Sequence, residues 1–251
     1  MTSKLLLTST SQCNWAHSTP QIPSSTPTNL IFCVALDKTA SENGIHTLSS
    51  SRLFSSSDFF QSDKKIVDFG LSNPKASRGV VGLGVVSKFL VAAVKNSGGR
   101  DDSGTEMNLY VSLDGSTWSH AKFPHASSSK LFENAYTIVE STTHSLAVDV
   151  LSHSKSTVGT LFVSNSNGTY FVESLKDTNR NQYGFVDFED IVGVEGVGIA
   201  NIVANAAEVD GRKEDKKLKS VITFDDGVSS PKRISSNLLL IPAILMVAFF
   251  Q

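Results

Sequence analysis

The sequence predicts an all-β fold: β-propeller blades, about four of them, with Asp-box turns. Three observations carry that reading. Eleven short apolar runs are split by turn residues, no stretch keeps a helical period, and one strand-to-turn pattern recurs every fifty-odd residues. The runs are Leu30–Leu36, Gly79–Val86, Phe89–Val94, Leu109–Leu113, Tyr136–Val139, Leu146–Leu151, Leu161–Ser164, Tyr170–Val172, Val186–Ile191, Gly198–Val203 and Val221–Phe224. They are rich in Val, Ile, Phe and Tyr, which fit a pleated, half-buried surface, and Gly, Asn, Asp or Ser bound many of them. Apolar residues nowhere hold i, i+3, i+4, i+7 spacing over three turns, and the charge-dense stretch 207–219 reads as a solvated loop or short surface helix.

The repeat appears when the ends of the runs are aligned. Leu109 to Trp118 (LYVSLDGSTW) resembles Leu161 to Phe171 (LFVSNSNGTYF) and Val221 to Gly227 (VITFDDG), and Leu53 to Phe60 (LFSSSDFF) is a weaker copy. With Ser55, Ser112, Ser164 and Thr223 as markers, the spacings are 57, 52 and 59 residues. A period near fifty with several strands per repeat is the signature of propeller blades.

The shared pattern, Ser-x-Asp-(x)-Gly-x-Thr-Trp, is the Asp-box, a hairpin turn. Its hydroxyl and carboxylate bond nearby backbone groups, its glycine supplies a positive φ, and its aromatic packs on a neighbouring strand. Ser112, Asp114, Gly115, Thr117 and Trp118 form one copy, a residue short between Ser and Gly. Ser164 and Gly168 mark the next, with Ser166 in the Asp place and Phe171 in the aromatic place. Thr223, Asp225 and Gly227 mark the last, where Ser230 replaces the aromatic. Asp114 and Asp225 therefore read as turn residues rather than catalytic carboxylates.

Composition sets the outer limits. The 251 residues carry a net charge of −2 with 18% charged and 40% hydrophobic residues, enough for a real core and too balanced for a nucleic-acid partner. No phosphate-binding Walker loop, zinc helix or nucleophile elbow is present. Gly82 and Gly84, like Gly193, Gly196 and Gly198, suit close strand packing or a bulge better than phosphate binding. The six histidines lack ligand spacing, so neither metal nor cofactor is predicted. Asp149, alternating within its run, reads as an outward or tunnel-facing carboxylate. Sialidases also carry Asp-boxes, but they need an arginine cluster and a Tyr–Glu pair. Arg52, Arg78, Arg100, Arg180, Arg212 and Arg233 stand mostly in loop-like polar contexts, so no enzyme is expected.

Two cysteines, Cys13 and Cys33, are too few for a disulfide scaffold. They are free thiols in a cytosolic chain, or close a loop worth roughly 3 kcal/mol in a lumenal one. Asn167-Gly168-Thr169 is the sole glycosylation sequon, in a predicted hairpin turn.

Five segments then carry a family resemblance: Lys75–Val94, Met107–His125, Glu133–Leu151, Val158–Ser174 and Asp187–Asn205. From about Cys13 to Gly227 the chain resembles the lumenal domain of the sortilin family, in particular its fungal vacuolar sorting receptors. The resemblance implies a ten-bladed propeller in the lumen of the Golgi and endosome system. It implies binding of protein cargo such as a vacuolar hydrolase for transport to the vacuole, without catalysis. It also implies that Cys13 and Cys33 are a disulfide pair within an early blade, and it implies membrane association for the full-length receptor.

The expected organisation is a polar N-terminal segment at 1–29, a partial propeller at 30–227 and a hydrophobic tail outside the resemblance at 228–251. Lys4 is followed by only three leucines, which predicts no secretory signal in the chain as given. Leu238–Phe250 is apolar over 13 residues and broken by Pro242, short of a bilayer span. The tail is expected to be translated intron or frameshifted sequence on a receptor fragment. The rival readings are a hydrophobic tail anchor for 228–251, a glycan-acting Asp-box enzyme, and a fragment without function.

Overall fold

The structure is a computed structural model that describes residues 7, 9–17, 25–36, 51–62, 64–71, 77–95, 107–124, 135–139, 141–153, 155–191, 194, 196–211, 214–224 and 232–233. Among them sixteen strands and one short helix form four successive antiparallel units. Unit 1 is β1 (Thr10–Trp15), β2 (Ile31–Leu36), β3 (Ser51–Ser56) and β4 (Lys65–Ile66). Unit 2 is β5 (Val80–Val86), β6 (Phe89–Lys95), β7 (Met107–Ser112) and β8 (Ser119–His120). Unit 3 is β9 (Tyr136–Ile138), β10 (Ala147–Leu151), β11 (Val158–Ser164) and β12 (Phe171–Asn179). Unit 4 is β13 (Phe188–Asp190), β14 (Gly198–Val203), β15 (Leu218–Thr223) and β16 (Lys232–Arg233), with helix α1 (Ala206–Asp210) between β14 and β15. Within each unit, sequential strands pair in order, as in the blades of a propeller. Blades 3 and 4 are also joined at one point, where Thr178 pairs with Ile202, so they form one eight-stranded sheet.

Blades stack face on face, and the sequence shows how. Strand β6 reads FLVAAVK, apolar at six consecutive positions, because both of its faces are buried. Leu90, Ala92 and Val94 point into a core shared with Phe32, Val34 and Leu53 of blade 1. Phe89, Val91 and Ala93 point the other way, into a core shared with Tyr136, Val148 and Phe162 of blade 3. Blade 3 repeats the division, with Phe162 toward blade 2 and Leu161 and Val163 toward Ala200 and Val221 of blade 4. A strand period of two thus sends alternate residues to alternate neighbours.

Every predicted run coincides with a strand, with end shifts of a few residues and a longer β12. Five strands lie outside the predicted set: the two-residue β4, β8 and β16, and β1 and β3, whose sequences are polar. β1 (TSQCNW) falls within the stretch 1–29 read as a polar segment, and β3 (SRLFSS) ends on Ser56, which makes Ser56 the first repeat marker in place of Ser55. At Gly84 an added Cβ would lie 2.6 Å from Ile138 Cδ1, and the β5–β6 register shifts between Val80 and Gly82, so these glycines serve packing and a bulge. Stretch 207–219 holds most of α1, which buries no residue, and the start of β15. Of 228–251 only Lys232 and Arg233 are described; as β16 their backbones pair with Ile222 and Val221.

Candidate functional site

The Asp-box of blade 2 closes the β7–β8 turn around one carboxylate. Ser112 Oγ donates to Asp114 Oδ1 at 3.1 Å and accepts the Gly115 N–H at 2.9 Å. Asp114 Oδ1 accepts the N–H groups of Ser116 at 2.8 Å and Thr117 at 2.7 Å. Burial alone raises the Asp114 pKa, but hydrogen bonds from Thr117, Ser116 and Ser112 outweigh it and hold the group at about 2. Gly115 has φ +75°, and a Cβ there would lie 2.7 Å from Leu30 Cδ2 of the segment leading into β2. Trp118, buried, meets Phe32 and Phe69 edge-on, with centroids 5.9 and 5.4 Å away. Both the glycine and the aromatic of the blade 2 box therefore dock onto blade 1.

The turn of blade 3 repeats this one step along. Gly168, at φ +71°, would place a Cβ 2.6 Å from Val111 Cγ1 and 3.1 Å from Phe89 Cδ1 of blade 2. Phe171 stacks on Phe123 at 4.5 Å in the core between blades 2 and 3. Two backbone bonds finish the joint: Lys122 N–H donates to Thr169 O at 2.7 Å, and Phe171 N–H donates to Lys122 O at 2.9 Å. Sequence reasoning expected Ser166 in the acid's place. Instead the Asn165 side-chain oxygen accepts the N–H groups of Thr169 at 3.0 Å and Tyr170 at 3.3 Å. Ser164 also differs from Ser112, since its hydroxyl accepts the Leu146 N–H at 2.8 Å and donates to the Asn165 carbonyl. An Asn directly after the strand's terminal hydroxyl was the available signal for this role.

The weak copy in blade 1 is a formed box. Ser56 Oγ donates to Asp58 Oδ1 at 2.8 Å, and Asp58 Oδ2 accepts the Ser62 N–H at 2.8 Å. The left-handed positions are held by Phe59 and Phe60, at φ +59° and +58°. Phe59 lies edge-on to Trp15 at 5.3 Å, and both rings are exposed. Thr223 ends β15 and is buried, while Asp225 and Gly227 lie outside the described residues.

Asp149 requires a correction. It is fully buried on the face of blade 3 that looks toward blade 4, neither outward nor tunnel-facing. Its partner is Arg180, itself 2% exposed despite its polar sequence context. Arg180 Nε donates to Asp149 Oδ1 at 2.6 Å, and Nη2 donates to the carbonyls of Asp149 and Ala135 at 2.6 and 3.0 Å. Thr178 Oγ1 donates to the other carboxylate oxygen. Gly159 makes room for that oxygen pair, since a Cβ there would come within 2.2 Å of Asp149 Oδ1. Arg180 is thereby spent on structure.

Cys13 and Cys33 face each other across the β1–β2 ladder with Sγ atoms 2.05 Å apart. Among the described residues, no three His, Cys, Asp or Glu side chains converge as a metal site, and no helix is long and apolar enough to cross a membrane.

Stacked four-stranded blades, with the box turns of blades 2 and 3 hooked onto the blade before, define a segment of an Asp-box β-propeller. The profile described as Sortilin, neurotensin receptor 3 matches residues 1–230, and the chain belongs to this Sortilin-Vps10 family. It is 57% identical over 228 residues to a vacuolar protein sorting/targeting protein 10 of Laccaria bicolor, covering 91% of this chain and 15% of that protein. The corresponding protein of Mycosarcoma maydis is 44% identical over 224 residues, covering 86% of this chain and 14% of that one. The chain thus spans about one seventh of the length of the curated relatives it matches. Solved structures with a distant likeness include a GH130 glycoside hydrolase (14% identity, 82% and 66% of the two chains, TM-score 0.33). A Bombyx mori GH32 β-fructofuranosidase gives 13% identity, 92% and 49% coverage and TM-score 0.33. Scores at that level carry no argument about this chain's chemistry.

Proposed function

We propose that the chain is part of the lumenal, cargo-binding propeller of a sorting receptor that carries vacuolar hydrolases from the Golgi toward endosome and vacuole. Family membership over residues 1–230, with relatives named for vacuolar sorting, is the observation that supports it. The facing cysteines of β1 and β2 fit an oxidising lumen, where the pair would be closed. On this reading the chain is not an enzyme. Arg180 is committed to Asp149, which removes one arginine from any substrate-gripping cluster, and Asp114 is committed to its turn. Capture of cargo belongs to the longer protein, of which this is one part.

The test is a replacement. The matching segment of a fungal vacuolar protein sorting/targeting protein 10 is exchanged for residues 1–224 of this chain in a strain lacking its own copy. Retention of vacuolar carboxypeptidase inside the cells is expected. Secretion of the hydrolase at the level of the deletion strain, with the chimera correctly delivered, would contradict the reading.

A further inference from the structure

The β11–β12 turn contains two asparagines with opposite fates. Asn165 is spent on the fold, its side-chain oxygen accepting from Thr169 N–H and Oγ1 and from Tyr170 N–H. Asn167, two residues on, is exposed at the tip, and among the described residues its amide makes no hydrogen bond. The reason lies in Gly168. Its left-handed backbone is buried against Val111 and Phe89 of blade 2, and that anchor turns Ser166 and Asn167 out to solvent. Asn167-Gly168-Thr169 is also the one Asn-x-Ser/Thr triplet among the 251 residues.

We propose that Asn167 carries this chain's single N-linked glycan, on the solvent side of the joint between blades 2 and 3. Attachment forms a bond from Asn167 Nδ2 to C1 of the first sugar of a polyprenyl-diphosphate oligosaccharide. The C1–oxygen bond to the diphosphate breaks, the lipid diphosphate leaves, and Nδ2 gives up one proton. Transfer acts on the extended chain, so the bond of Thr169 Oγ1 to Asn165 in the folded turn does not compete with it. Folding then needs only an unburied, unbonded Nδ2, and the turn supplies that at Asn167. The glycan leaves the Gly168 and Phe171 contacts untouched.

This inference rests on the lumenal reading, and the experiment separates the two. The full chain is expressed in yeast behind a secretory signal, with a reporter sequon in a C-terminal tag, and its mobility is compared before and after endoglycosidase H. Two glycan steps are expected for the wild type. One step should remain in Asn167→Gln and in Thr169→Ala, and two in Thr169→Ser and in Asn165→Ala, which disturbs the turn and leaves the triplet. A wild type with the reporter step alone would overturn glycosylation at Asn167 while the lumenal route stands. A wild type with neither step would overturn both.

Discussion

Blades 2 and 3 meet the same demands with different chemistry. Counted from the box serine, Leu90 lies opposite Ser112 in blade 2, and Leu146 is bonded to Ser164 in blade 3. Three residues further on, blade 2 has Ala93 and blade 3 has Asp149, each facing the following blade. One interface is therefore wholly apolar at this position and the other is ionic. The turns differ in parallel, a carboxylate at Asp114 against a neutral amide at Asn165. What the two blades share is an acceptor for the turn's N–H groups and a left-handed glycine seated on the preceding blade. Between these two blades the acceptor's charge changes, and the seated glycine does not.

The comparison breaks most severely at the ionic interface. Arg180→Ala strands a buried carboxylate and is expected to cost about 3–5 kcal/mol in denaturant unfolding. Ala93→Ser, at the matching place in blade 2, should cost far less, since it strands no charge. Equal losses would mean that the two interfaces do not differ in the way described.

Next come the glycine seats. Gly115→Val and Gly168→Val each combine a positive φ with a Cβ inside 3 Å of an apolar side chain, for a loss of about 3 kcal/mol apiece. Thermal melts of both variants check this. A tolerated valine at either seat would show that the joint is looser than its geometry.

The smallest effect separates the two acceptors by pH. Asp114 titrates at about 2 when folded, below its ordinary 3.8, so its contribution is full above the ordinary value and is lost as pH falls through the folded one. Because the group is partly solvated, the loss is about 1 kcal/mol. Asn165 does not titrate, so amide exchange between pH 4 and pH 2 should loosen the blade 2 turn before the blade 3 turn. Asp114→Asn should remove that difference.

Much of this was legible in the sequence, for reasons that particular residues show. Strands buried on both faces announce themselves, as Phe89–Val94 does, because both sets of alternate residues must be apolar. β1 and β3 did not, because TSQCNW and SRLFSS read as polar chain. The Ser112 box was legible because all its bonds are local. The Asp149–Arg180 pair was not: the partners lie 31 residues apart, and Arg180 follows the polar run Lys176–Asn179 that no periodicity marks as strand. Asn165 was hidden by one residue, since the eye places the acceptor where the motif has it.

The account stands on the box turns of blades 2 and 3 reaching backward to hold the preceding blade. Residue-resolved hydrogen exchange of Gly168→Val measures this directly. The account predicts that protection falls in β6 and β7 of blade 2 as well as in β11 and β12 of blade 3. A loss confined to the β11–β12 turn, with β6 and β7 protected as in the wild type, would contradict it.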